Sequence, residues 1–175
     1  MNAYLYKDKN TVLIDIDKST TGLTTVEQFA RENGFVEKDT VHATIVGFSA
    51  GMKISTLLKD SINRDMLEKI QSLVAETDWS PQYLNEFFVV SKEYEFFDPK
   101  IKSKVKSLRQ SIIQKIVLPE LETFYEKLNT ITGLAFPVQF PHITLYTKGD
   151  ASSVMGIGIN SIAEFESLSH EKITI

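Results

Sequence analysis

Val41-His42-Ala43-Thr44-Ile45-Val46 and, further along the chain, Pro141-His142-Ile143-Thr144-Leu145-Tyr146 are near-copies of one pattern: histidine, apolar residue, threonine, apolar residue. Each stretch reads as a β-strand, in which successive side chains point to opposite faces. His42 and Thr44 then share one face, while Val41, Ala43 and Ile45 point into a core. His142 and Thr144 repeat the arrangement, with Ile143 and Leu145 buried. Residues two apart on a strand are separated by about 6.5–7 Å, so an imidazole and a hydroxyl can contact different oxygens of one phosphate. Two such strands side by side would surround it. The third histidine, in His170-Glu171-Lys172, lacks the pattern and serves as an internal control.

Outward from these stretches, strands and helices mix. Val12, Ile14 and Ile16 alternate with Asp15 and Asp17, which predicts a strand. Thr24 and Glu27 have capping-box spacing, and the helix they open carries Val26, Phe29 and Ala30 and stops at Gly34. The first motif strand is expected over residues 40–48. A helix over residues 61–76 has Ile62, Met66, Ile70 and Val74 as its apolar stripe, and a β-rich stretch follows over 83–97. Residues 103–132 have helical period through Val105, Leu108, Ile112 and Ile116 and then Leu121, Phe124, Leu128 and Ile131. Pro119 kinks or splits that helix and Gly133 ends it. Strands are expected again at 142–147, 154–159 and 162–168. There is no linker-like, low-complexity or tandem-repeat segment, so residues 1–175 read as a single α+β domain.

Composition narrows the chemistry. With 175 residues and 42% hydrophobic content the chain can bury a core. It has no cysteine, which excludes disulfides, thiolate metal sites and a cysteine nucleophile. Nineteen basic against 23 acidic residues, a net charge of −4, argues against a protein that coats long nucleic acid; a short or small anionic ligand remains open. Residues 1–8 lack the features of a signal peptide and no apolar run approaches the roughly 20 residues of a membrane helix. The expectation is a cytoplasmic monomer without a membrane partner.

The paired His-x-Thr-x motifs resemble those of the 2H phosphoesterase superfamily, which includes the RNA 2′,3′-cyclic phosphodiesterases also called 2′-5′ RNA ligases. The resemblance implies a bilobal α+β fold, with two pseudo-twofold-related lobes of antiparallel sheet and outer helices around a central cleft. It also implies metal-independent cleavage of cyclic phosphates or phosphodiesters in nucleotides or short RNA ends, with no cofactor. His42 and His142 take the catalytic positions, and Thr44 and Thr144 the phosphate-binding ones. A phosphodiesterase for 2′-5′-linked or cyclic oligonucleotides would use the same four residues, and a noncatalytic RNA-end or nucleotide-binding module could retain the same cleft.

Histidine, with an ordinary pKa near 6.5, serves as acid or base at neutral pH, as opening a cyclic phosphate requires. Threonine hydroxyls can donate to the nonbridging oxygens. Which histidine is the base is not legible. Tyr146, two residues beyond Thr144, and Phe48, on the equivalent face beyond His42, are candidates for stacking on a base. Lys102, Lys106 and Arg109 align at helical spacing within a basic run, which reads first as a solvated helix face. Gly156-Ile157-Gly158-Ile159 fails as a dinucleotide motif because no helix follows. Asp15 and Asp17 lack a nearby third ligand, so no metal is expected.

Overall fold

The computed structural model describes residues 3–6, 10–60, 65–98, 102–149 and 156–174. Its centre is one antiparallel sheet. The strands are β1 (Ala3–Tyr6), β2 (Thr11–Ile16), β3 (Val36–Glu37), β4 (Val41–Val46), β5 (Gln82–Asp98), β6 (Ser103–Val117), β7 (His142–Lys148) and β8 (Ser169–Lys172). Their order across the sheet is β1-β2-β4-β7-β6-β5-β8, with β3 paired to β7. Among the described residues five α-helices complete an α+β architecture: α1 (Glu27–Glu32), α2 (Phe48–Leu57), α3 (Met66–Glu76), α4 (Leu121–Thr132) and α5 (Ile162–Ser167). No helix among the described residues is long and apolar enough to cross a membrane.

Alternation gives the sheet two different faces. Val12, Ile14 and Ile16 of β2 and Ala43 and Ile45 of β4 join Ile143 and Leu145 of β7 in the main core. Ala30, Ile54, Ile70, Val74, Phe124 and Leu128 bring α1 to α4 onto that face. The opposite face has a smaller apolar cluster, Val90, Ile113, Phe140, Ile157 and Ile159, against which Phe165 of α5 packs. Toward β2 and β4 that face is more open, with Asp15 exposed and His42 and Thr44 half-buried.

At the centre, β4 and β7 pair through Ala43 and Ile143. One step either side of that antiparallel pair, His42 lies across from Thr144 and Thr44 across from His142. Both strands are irregular at the same motif position. Between its pairings of Val12 with Val46 and Leu13 with Thr44, β2 skips Ile45. Between its pairings of Ile112 with Tyr146 and Ile113 with Thr144, β6 skips Leu145. A bulged residue loses its ladder partner. Here each bulge carbonyl is satisfied from elsewhere: Tyr125 of α4 donates its hydroxyl to the Ile45 oxygen at 2.6 Å, and the Lys38 amide donates to the Leu145 oxygen at 2.9 Å.

Several sequence expectations are corrected. Residues 103–117 form a strand, β6, paired along its length with β5, and only 121–132 is helical. The apolar spacing of four that suggested a helix at 108, 112 and 116 also keeps those residues on one strand face. The run Ser111, Ile112, Ile113, Gln114 is buried throughout, because the strand is covered on both faces. Its cations meet β5 carboxylates instead of a helix face, Lys104 to Glu95 at 2.6 Å and Lys106 to Glu93 at 3.2 Å. Residues 162–167 are helical, capped by Ser161, whose hydroxyl accepts the Glu164 amide at 3.1 Å. The capping geometry is therefore at Ser161 and Glu164; α1 begins after Val26 with no side-chain cap. Residues 156–160 form no strand and cross the open face as an irregular strap; 154–155 lie outside the described residues, as does Ile62. The first motif strand ends at Val46, and Phe48 opens α2.

Tyr125→Phe would strand the buried Ile45 carbonyl without a donor, which costs about 1–3 kcal/mol. A urea titration should show that loss of stability. A change below about 0.5 kcal/mol, within the range of neutral surface substitutions, would mean the carbonyl has another partner.

Candidate active site

Above the paired motif strands is a cleft of about 470 Å³. His42, Thr44, His142 and Thr144 all line it. The register makes His42 and His142 diagonal neighbours on adjacent strands, and such positions lie about 7–8 Å apart. Both histidines thus line the same cleft, each with a threonine across the ladder from it.

The histidines differ in surroundings. His142 is only 7% exposed. Its Nδ1–H donates to the Phe140 carbonyl at 2.8 Å, because a carbonyl can only accept; the neutral ring therefore has a bare Nε2. Its ring stacks on Phe140 at 5.6 Å. Burial pushes the His142 pKa below its ordinary value, opposed by the Phe140 hydrogen bond and reinforced by the charge of His42. His42 is half-buried. Burial lowers its pKa too, aided by the Lys38 ammonium and opposed by Asp15, which lies beside it in register on β2.

Lys38 and Lys92 bring positive charge to the cleft, and no carboxylate lines it among the described residues. One wall is the strap. A Cβ built on Gly156 would lie 3.0 Å from the Thr144 hydroxyl oxygen, so glycine lets the strap approach the motif strand closely. Gln139 secures the strap from behind by donating to the Ile159 carbonyl. At the other end, Asn160 donates its amide at 2.8 Å and its Nδ2 at 2.7 Å to Glu164.

Of the two aromatic candidates, Phe48 lines the cleft and is 59% exposed, though from the first turn of α2 instead of from β4. Tyr146 does not line it. The Leu145 bulge reverses the strand's alternation, so Tyr146 joins Ile143 and Leu145 in the main core, 4% exposed, and its hydroxyl donates to the Leu23 carbonyl. A base cannot stack there. His170 lies on β8 outside the cleft lining, with its ring against Phe165 at 4.5 Å. Asp17 caps a 3₁₀ turn, Lys18–Thr20, through the Ser19 amide. Lys38, Lys92, Tyr94 and the strap were not identified from sequence. The two closely spaced glycines were the available signal, readable as a close backbone approach once the nucleotide motif is set aside.

Comparisons with protein-family models, with curated proteins and with solved structures found no match for this chain.

Because both cleft histidines have folded-state pKa values below the ordinary 6.5, the unfolded chain takes up protons first as pH falls. Their contribution to stability is complete above about pH 6.5 and is lost from there toward the folded-state values. Urea midpoints measured between pH 8 and pH 5 should therefore fall with acidification, and less steeply in His142→Gln. A midpoint that rises toward pH 5.5 would contradict these shifts.

Proposed function

We propose that this protein is a metal-independent phosphodiesterase of the 2H phosphoesterase type, opening 2′,3′-cyclic phosphates of nucleotides or short RNA ends. On this reading the β1-β2-β4 and β7-β6-β5 halves of the sheet are the two lobes, and the cleft between their motif strands holds the reacting phosphate. The observation that supports it most is the register: His42 opposite Thr144 and Thr44 opposite His142 on the open face of one strand pair, in a cleft lined by lysines.

One imidazole takes a proton from the incoming water as its oxygen bonds to phosphorus. The other gives a proton to the ribose oxygen as its bond to phosphorus breaks, leaving a ring-opened monoester. Thr44 and Thr144 donate to the nonbridging oxygens, which the Lys38 charge also stabilises. Phe48 supplies an exposed ring at the rim for a base.

Hydrolysis of a 2′,3′-cyclic mononucleotide, followed by chromatography, tests the proposal. Activity should survive EDTA, and His42→Ala or His142→Ala should each lower turnover by about 10²–10⁴-fold. Thr44→Ala and Thr144→Ala should cost less, and His170→Ala almost nothing. Loss of activity in EDTA that zinc, manganese or magnesium restores, or an equal loss in His170→Ala, would reject the mechanism. The lowered histidine pKa values place the optimum of kcat/KM on the acid side of about pH 6.5; an optimum above pH 7.5 would contradict the pair. Phe48→Ala should raise KM with little change in kcat, by an amount equivalent to about 1–3 kcal/mol if its ring stacks on a base.

A further inference from the structure

The four motif residues account for one phosphate, yet the cleft extends past them to a corner that they cannot serve. Thr144, Ile113 and Phe88 lie in one row across β7, β6 and β5. Lys92 is four residues further along β5, about 13 Å at strand rise, and β5 is two strand spacings, about 9.5 Å, from β7. The Cα atoms of Lys92 and Thr144 are therefore roughly 16 Å apart, more than a lysine side chain spans. The Lys92 ammonium still lines the same cleft.

That ammonium is held in place. Glu164 accepts it at 2.6 Å, and the same carboxylate is fixed by both nitrogens of Asn160. Arg109 faces Lys92 across the β5–β6 ladder, and its guanidinium lies over the Tyr94 ring at 4.4 Å. Lys92 approaches the same ring at 5.7 Å, and Tyr94 lines the cleft. The Arg109 Nε is buried without a hydrogen-bond partner, which in a folded protein calls for an explanation. Two cations thus converge on one aromatic ring with Glu164 as the carboxylate bonded to Lys92, and one donor is left unsatisfied. An added anion would balance the charge.

We propose that Lys92, supported by Arg109, forms a second anion subsite that takes a phosphate adjacent to the reacting one, so that the preferred substrate is a nucleotide chain with at least two phosphates. This rests on the phosphodiesterase reading for the identity of the first phosphate. Binding alone tests it, without turnover. In equilibrium titrations of the wild-type protein, a nucleoside 3′,5′-bisphosphate should bind about 10-fold more tightly than the nucleoside 3′-monophosphate. Lys92→Met should remove that advantage and leave the monophosphate affinity unchanged, Arg109→Met should reduce it, and Lys92→Arg should retain it. Unfolding curves confirm that each variant is folded.

Equal affinity of the wild type for the two ligands, or an equal loss for both in Lys92→Met, would overturn the subsite. Failure to bind either ligand would overturn the subsite and the phosphodiesterase reading together. Retained binding with the expected difference, but no hydrolysis of a dinucleotide ending in a 2′,3′-cyclic phosphate, would overturn only the catalytic reading. With hydrolysis, Lys92→Met should raise KM for that dinucleotide about 10-fold at unchanged kcat, and leave the cyclic mononucleotide unaffected.

Discussion

The pairing of Ala43 with Ile143 is the constraint on which the rest of the molecule depends. Both side chains point into the main core, so burial of small and branched apolar groups sets the register, and a slip of one residue would expose Ile143 and Ile45 to solvent. With that register fixed, the polar residues between them have no choice of face. His42, Thr44, His142 and Thr144 are presented together because their apolar neighbours are buried together. The site is the reverse side of the hydrophobic core.

The two bulges refine this arrangement. Ile45 and Leu145 occupy equivalent positions after the motif threonines, and both side chains are fully buried. Each bulge places two consecutive residues on the core side: Ile45 with Val46, and Leu145 with Tyr146. The motif face is thereby cut off directly after its threonine on both strands. On β4 the chain leaves through Gly47 into α2, and on β7 it continues as strand, so the two ends diverge although the motif positions themselves correspond. Tyr125 and the Lys38 amide, which satisfy the bulge carbonyls, come from unrelated elements. Backbone hydrogen-bond demand was met by whatever lay nearby, a common outcome where a buried carbonyl must have a partner.

What could be read from the sequence follows the same physics. Alternation in 12–16 and 41–45 is visible because one face is buried and the other is not, and the motif residues were legible for that reason. In β6 both faces are buried around Ile112 and Ile113, alternation disappears, and a spacing of four fits either period. Only the long-range pairing with β5 decides it, and no local pattern encodes that pairing. Tyr146 was misplaced because nothing in Thr144-Leu145-Tyr146 announces a bulge. Lys92 and Arg109 are neighbours only through the β5–β6 ladder, and Glu164 reaches Lys92 from 72 residues away.

Correspondence in register does not carry over to the surroundings. The strap, Phe140 and α5 cover the β7 side, so His142 is nearly enclosed and its Nδ1 is committed to a backbone carbonyl. The β4 side is left with Asp15 and Lys38 acting in opposite directions on a half-buried His42. A buried imidazole with one nitrogen fixed has one tautomer and one orientation available. A half-buried imidazole between a carboxylate and an ammonium keeps access to solvent and can exchange its proton there. Two motifs that are equivalent by strand position are thus made inequivalent by what covers them. In the proposed reaction, which needs one proton acceptor and one donor in the same turnover, that difference in cover separates the roles of two otherwise matching histidines.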